Sequence, residues 1–254
     1  MERIYNFREG IAMPVGVIIN SLSIVIGGII GSFVGHLLTD DFKEKLNMIF
    51  GACAMTLGIT SMVLIENMPA VIFATLVGTM IGLAVKLGHL INVGGSLMER
   101  GLAKVIPNRS TLSEDEFRAT LLTIIVLFCS SGTGIYGSIV SGMSGDHSIL
   151  IAKSILDFFT AMIFACTMGL VVCVIAIPQF IIFLMLFMLA GAIFPLTTPS
   201  MLNDFKACGG IIMLATGFRM IKVKMFPTAD MIPAMIIVMP ISWFWTTYIV
   251  PLLA

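Results

Sequence analysis

The chain has 254 residues, is 58% hydrophobic and only 11% charged, and carries no net charge at pH 7. A water-soluble domain needs a polar exterior, and a mean hydropathy of +1.08 leaves too little polar surface to make one. Nothing in this charge balance points to a nucleic-acid partner.

Apolar stretches of roughly 20 residues recur along the chain, the length that crosses hydrocarbon as a helix. Backbone groups in lipid must be satisfied within each segment, so the fold class is all-α. The runs are too long for the short alternating strands of an outer-membrane barrel. The expectation is a polytopic protein of about eight spans. Span 1 covers Val15–Leu38, after a mildly polar extension in which Met13 is an alternative start. It is too long for a signal-peptide core and lacks a small-residue cleavage site, so it should be retained. Span 2 is Met48–Ile65, entered through TDDFKEKLN, and span 3 is Pro69–Gly88.

A polar connection, residues 89–118, follows. Leu97, Met98, Leu102, Val105 and Ile106 recur at helical spacing opposite Glu99, Arg100 and Lys104, which predicts an amphipathic helix on the membrane surface that ends at Pro107. Ser113 with Glu116 forms a capping box that starts the next helix. Span 4 is Ala119–Val140, span 5 Ile149–Ile177 and span 6 Gln179–Leu196, with Pro178 as the turn between the last two. Span 7, Cys208–Met220, is short, and span 8 is Met231–Leu253. One integral membrane domain, 1–254, thus divides into 13–88, the connection 89–118, a central two-span unit 119–177, and 178–254.

Two of these parts resemble each other. GIIGSFVGHLLTDDFK (Gly28–Lys43) and GAIFPLTTPSMLNDFK (Gly191–Lys206) have equal length, open with Gly and end in (Asp/Asn)-Asp-Phe-Lys. After a four-residue gap, GACAMTLGITSM from Gly51 aligns with GIIMLATGFRMI from Gly210, matching Gly51 to Gly210 and Gly58 to Gly217. A Pro-started span follows in each copy, NMPAVIF from Asn67 and MIPAMII from Met231. Spans 1–3 therefore correspond to spans 6–8. An odd number of spans separates the copies, so the second is inverted. Inverted repeats suit alternating access, although channels are also built this way.

Lys and Arg in short loops set orientation. Lys43, Lys45, Lys86, Arg100, Lys104, Arg109, Arg118, Arg219, Lys222 and Lys224 fall on one side, and only Arg3, Arg8 and Lys206 on the other. The first side is then cytoplasmic and both termini are extracytoplasmic.

Three groups of residues are candidates for binding a solute or ion. The run CSSGTGIYG, Cys129–Gly137, places Ser130, Ser131 and Thr133 among three glycines within span 4, a poor continuous helix. Unwound backbone at membrane depth can present amides, carbonyls and half-helix dipoles to a ligand, or it can serve close helix packing. Lys153 and Asp157 are four apart on one face of span 5, either facing a cavity or forming a static tie between helices. Asn20 is the amide well inside span 1, near Ser21 and Ser23. Thr56 and Thr60 are weaker candidates, and Asp41 and Asp204, equivalent in the repeat, read best as helix caps. Gly27, Gly31 and Gly35, and Gly78 with Gly82, form small-residue packing faces, internal or between two copies in a homodimer. The histidines show no metal-ligand spacing, the cysteines read as buried hydrophobes, and no cofactor is expected.

The segments PVGVIINSLSIVIGGIIG, GDHSILIAKSILD with FACTMGLVV, and NDFKACGGIIMLATGFRMIKVK with MIPAM resemble the YqgA/YdfK-like bacterial membrane proteins, the domain-of-unknown-function family 554. The resemblance covers nearly the whole chain from Met13. It implies a bacterial inner membrane and groups Ser154 with Lys153 and Asp157. Phe158 stands where the family often has Gly, and CSSGTGIYGSI replaces its usual span 4 pattern. The leading functional expectation is a secondary transporter for a small solute or ion. The alternatives are a channel and a non-catalytic scaffold or sensor. No motif supports an enzyme.

Overall fold

The structure, a computed structural model, describes residues 13–34, 39–105, 113–129 and 131–253. Among these residues every regular element is helical. In chain order they are α1 (Val15–Val34), α2 (Asp40–Met62), α3 (Met68–Ala84), α4 (Leu87–Val105), α5 (Glu114–Cys129), α6 (Gly132–Ser144), α7 (Ser148–Met168), the single turn α8 (Val171–Val174), α9 (Ala176–Ile193), α10 (Pro199–Met220), α11 (Ile232–Phe244) and the last turn α12 (Val250–Leu253).

Five segments are long and apolar enough to cross a membrane: Val15–Val34, Thr120–Ser144, Ser148–Met168, Val171–Leu196 and Ile232–Leu252. A sixth arises if α3 and α4, bent by 56° at Lys86, count as one broken span. The chain is a helical, multi-pass membrane protein. Expected spans 2 and 7 are the apolar parts of α2 and α10, whose first two turns carry Asp40, Asp41 and Lys43, and Asp204 and Lys206. The helices start well before the apolar runs because Thr39 and Thr198 cap them, accepting from the Phe42 and Met201 amides at 3.3 Å each.

The boundary between expected spans 5 and 6 is corrected. The chain breaks at Gly169, not at Pro178. Gly169 has φ 66° and ψ −151°, backbone open essentially to glycine alone, and it ends α7. Pro178 sits in the first turn of α9, where no intrahelical bond needs its missing N–H.

Two helix pairs frame the molecule. α1 and α7 run parallel and nearly touch, because a side chain at Gly27 or Gly31 would collide with the Phe158 or Met162 carbonyl. α2 and α10 run antiparallel, with Gly51 against Gly217 and Gly58 against Gly210. A Cβ on Gly58 or Gly210 would fall 2.6 Å from the other's carbonyl oxygen, and one on Gly217 would fall 2.7 Å from that of Gly51. Gly78 and Gly82 are filled by α11, at Ala234 and Asp230. These four glycine positions are spent inside one chain, not between copies. Gly35, like Ile106 and Pro107 at the expected end of α4, lies outside the described residues.

Loop contacts define two ends. Residues 66–67, 146 and 203–206 meet at one end, through Asn203 with Glu66 and Lys206 with Asp146. Residues 44, 88, 222 and 230 meet at the other, through Lys222 with Glu44 and the Gly88 amide with Asp230.

Candidate functional site

The polar positions that stand out in the apolar helices converge. Asp157 Oδ2 accepts from Lys153 Nζ, one turn earlier on α7, and from Asn20 Nδ2 on α1 at 2.8 Å. Asn20 Oδ1 accepts from Gln179 Nε2 on α9, and Gln179 Oε1 accepts from Ser21 Oγ at 2.8 Å. The amides can point only one way here, since a carboxylate accepts and never donates. Five side chains from three helices form one continuous relay, and none is more than 9% exposed. A buried charge this dry costs several kcal/mol unless paired and hydrogen-bonded, and every member is satisfied by another.

α5 and α6 close the relay from a fourth direction. The expected interruption of span 4 falls between Cys129 and Gly132. Ser131 caps α6 by accepting from the Gly134 amide at 3.1 Å. A side chain at Gly134 would collide with the Phe183 ring and come within 2.9 Å of Lys153 Cε. The bare first turn of α6 therefore lies against the lysine. The ring centres of Phe128 and Phe183 are 6.0 and 5.7 Å from Lys153 Nζ, near enough for cation–π attraction. Among the described residues Asp157 is the one hydrogen-bond acceptor of the ammonium. Two aromatic rings and the start of a helix, where partial positive charge collects, thus lie beside the lysine.

Of the expected site residues, Asn20, Lys153 and Asp157 are brought together. Ser131 and Thr133 lie in the adjoining turn, Thr133 buried. Ser130 lies outside the described residues. Ser154 does not join the relay, because its hydroxyl is turned back onto the Leu150 carbonyl at 2.6 Å. Ser23, Thr56 and Thr60 likewise bond their own helices. Gln179 was read only as the start of a span. Its signal was the one used for Asn20, a lone amide in an apolar run. Two surface grooves, of about 350 and 360 Å³, lie elsewhere, at Lys86, His89 and Asp230 and along the start of α2.

The cap reading fails for Asp41 and holds for Asp204, though on another helix than its own. Asp41 pairs with Lys45 at 2.7 Å in the open, while Thr39 caps α2. Asp204 is fully buried and caps a different helix. Its Oδ1 accepts the Glu66 and Asn67 amides at the start of α3, both at 2.9 Å. Its Oδ2 accepts from Asn67 Nδ2 at 2.8 Å and Ser242 Oγ at 2.6 Å. Four donors and a helix N-terminus compensate the charge without a basic residue.

Comparison with known proteins places this arrangement. The family profile described as "Protein of unknown function (DUF554)" matches residues 15–243. The chain belongs to that family. The uncharacterized protein YqgA of Escherichia coli is 43% identical over 244 residues, 93% of this chain and 99% of the relative. The uncharacterized membrane protein YdfK of Bacillus subtilis is 24% identical over 222 residues, 87% of this chain and 93% of the relative. No solved structure matches. The matched residues span α1, α7 and α9, so the relay lies within the region that the family profile matches.

Proposed function

We propose that the chain is a secondary transporter of the bacterial inner membrane, moving a small solute or ion by alternating access around the Lys153–Asp157–Asn20–Gln179 relay. The observation that carries this reading is that charge pair. It is buried where α1, α7 and α9 meet the interrupted α5–α6, and intramembrane charges at such junctions mark transport pathways. A static tie between helices would be served by apolar packing at lower cost. The aromatic faces and bare helix turn beside Lys153 are where a ligand would approach it.

The inverted repeat supports the same reading. Exchanging Gly51 with Gly210 and Gly58 with Gly217 turns the Gly51–Gly217 contact into Gly210–Gly58, which is the second contact observed. A pseudo-two-fold axis between α2 and α10 accounts for both. The pairwise directions of α1 with α7, α2 with α10 and α3 with α11 fit eight crossings, with α2 and α10 as the two polar-started ones. The end bearing Lys43, Lys86, Lys222 and Lys224 is cytoplasmic in this reading, and the chain has no catalytic role.

Purified protein in liposomes, loaded with a pH-sensitive dye and challenged with sodium, potassium and proton gradients and a panel of labelled amino and organic acids, tests this. Saturable flux of one species, lost in Asp157→Asn, is the expected outcome. Equal flux in wild type and mutant removes the relay from the mechanism. Conductance that never saturates points to a channel instead.

A further inference from the structure

The relay is built from groups that can reverse their direction. Asn20 and Gln179 each carry a donor and an acceptor, and a serine hydroxyl can give or take a hydrogen bond. In this structure Asn20 donates to Asp157, Gln179 donates to Asn20, and Ser21 donates to Gln179. If both amides turn over, Gln179 donates to Ser21, Asn20 donates to Gln179, and Asn20 presents its carbonyl oxygen to Asp157. The Ser21 O–H then turns to its own helix, as those of Ser23 and Ser32 already do. No amide loses a partner, but two electron-rich oxygens now face each other, which requires a cation between them.

Asp157 can receive that cation. Both hydrogen bonds to its carboxylate end on Oδ2, which leaves Oδ1 with none among the described residues, although Asp157 is only 8% exposed. The end of α5 adds negative potential. The Phe128 ring lies 6.0 Å from Lys153 Nζ, and Cys129 is near enough to feel both charges of the pair. The last turn of a helix leaves carbonyl oxygens without intrahelical donors and collects partial negative charge. Charge is otherwise scarce. α1, α6 and α9 carry no charged side chain, Tyr136 of α6 is turned to α10, and Cys129 is the titratable group of α5 that meets the pair. One carboxylate neutralises one cation, and a second cation in so dry a place would be uncompensated.

From this, and resting on the transporter reading, we infer that Lys153 is a tethered stand-in for a transported metal cation, and that the relay binds sodium in exchange for the lysine's proton. Sodium enters between the Asp157 carboxylate and the turned Asn20 carbonyl, at the end of α5. Lys153 Nζ passes one proton to the water from which sodium came and becomes a neutral amine, so the net charge of the site is zero in both states. A divalent ion would leave one charge uncompensated and is excluded on that ground.

Purified full-length protein in detergent, melted between about pH 6 and pH 9 in sodium chloride or in choline chloride of equal ionic strength, tests the inference without flux. Sodium should raise the melting temperature of wild type. While Lys153 is protonated, each unit of falling pH should raise the sodium needed for the same rise by about tenfold, because one proton competes with one ion. Lys153→Met should melt below wild type in choline and regain most of that loss in sodium, with a sodium requirement that no longer follows pH. Asp157→Asn should lose the sodium effect. Melting blind to sodium in both wild type and Lys153→Met overturns the inference. So does a sodium effect retained in Asp157→Asn, which is then a general salt effect. Liposome flux separates the two readings. Sodium stabilisation without flux keeps the site and removes the transporter, whereas saturable flux of another solute that ignores sodium keeps the transporter and removes the sodium site.

Discussion

Asp157 carries the sharpest residue-level expectations, because removing one partner of a buried pair leaves the other charge stranded. Asp157→Asn should destabilise the protein by about 3–5 kcal/mol, read as thermal unfolding in detergent. Removing both charges, in Lys153→Met with Asp157→Leu, should cost clearly less than the sum of the single changes. Additive costs would show that the pair does not interact. Gln179→Leu leaves Asn20 Oδ1 without its donor and Ser21 without its acceptor, and should cost about 1–3 kcal/mol. Outside the membrane, burial alone would raise the Asp146 carboxyl, but hydrogen bonds from Ser148 and the charge of Lys206 outweigh it and hold the group below its ordinary range. A depressed carboxylate stabilises the fold above its ordinary value and loses that contribution as pH falls through the lowered one. Melting temperature should therefore drop on acidification below the usual carboxylate range, and Asp146→Asn should flatten part of that drop. At this scale the sequence showed which groups were anomalous in lipid. It could not show that Ser154 turns back on its own helix while Gln179, 25 residues further on, completes the relay. Which polar groups share a contact depends on how three helices are rotated against one another.

The elements were legible wherever a stretch was both apolar and long. The positions of their breaks were less so. Proline looked like the natural turn between spans 5 and 6, yet proline is tolerated in a first helical turn, and the break needs a left-handed residue that glycine supplies. Gly169→Ala should cost about 1–3 kcal/mol, whereas Pro178→Ala should change stability little, measured in the same unfolding assay. The reverse order would return the boundary to Pro178. α2 and α10 were cut short in the sequence reading because charges fall within their first two turns. Capping by Thr39 and Thr198 extends both helices past the apolar limit, since caps and local hydrogen bonds, not hydropathy, decide where a helix begins.

For the whole molecule, the pairing of glycines across α2 and α10 is the feature on which both packing and the proposed motion depend. Gly58→Ala and Gly217→Ala force a methyl to 2.6 and 2.7 Å, respectively, from a backbone oxygen that cannot rotate away. Either change should push the helices apart at a cost of about 1–3 kcal/mol. Both should reduce flux to similar degrees if the two sites are equivalent by symmetry. A marked difference would argue against the pseudo-two-fold axis. The amino-acid sequence alone determined that this is a helical membrane protein of the DUF554 type, because apolar length, charge scarcity and repeated motifs are properties of the linear chain. It also showed that two of its segments resemble each other. Only the tertiary structure decided that Asp204 is buried while Asp41, at the matching place in the other segment, is exposed. Similar segments have similar local preferences, so burying Asp204 while leaving Asp41 exposed requires the different neighbours that packing provides.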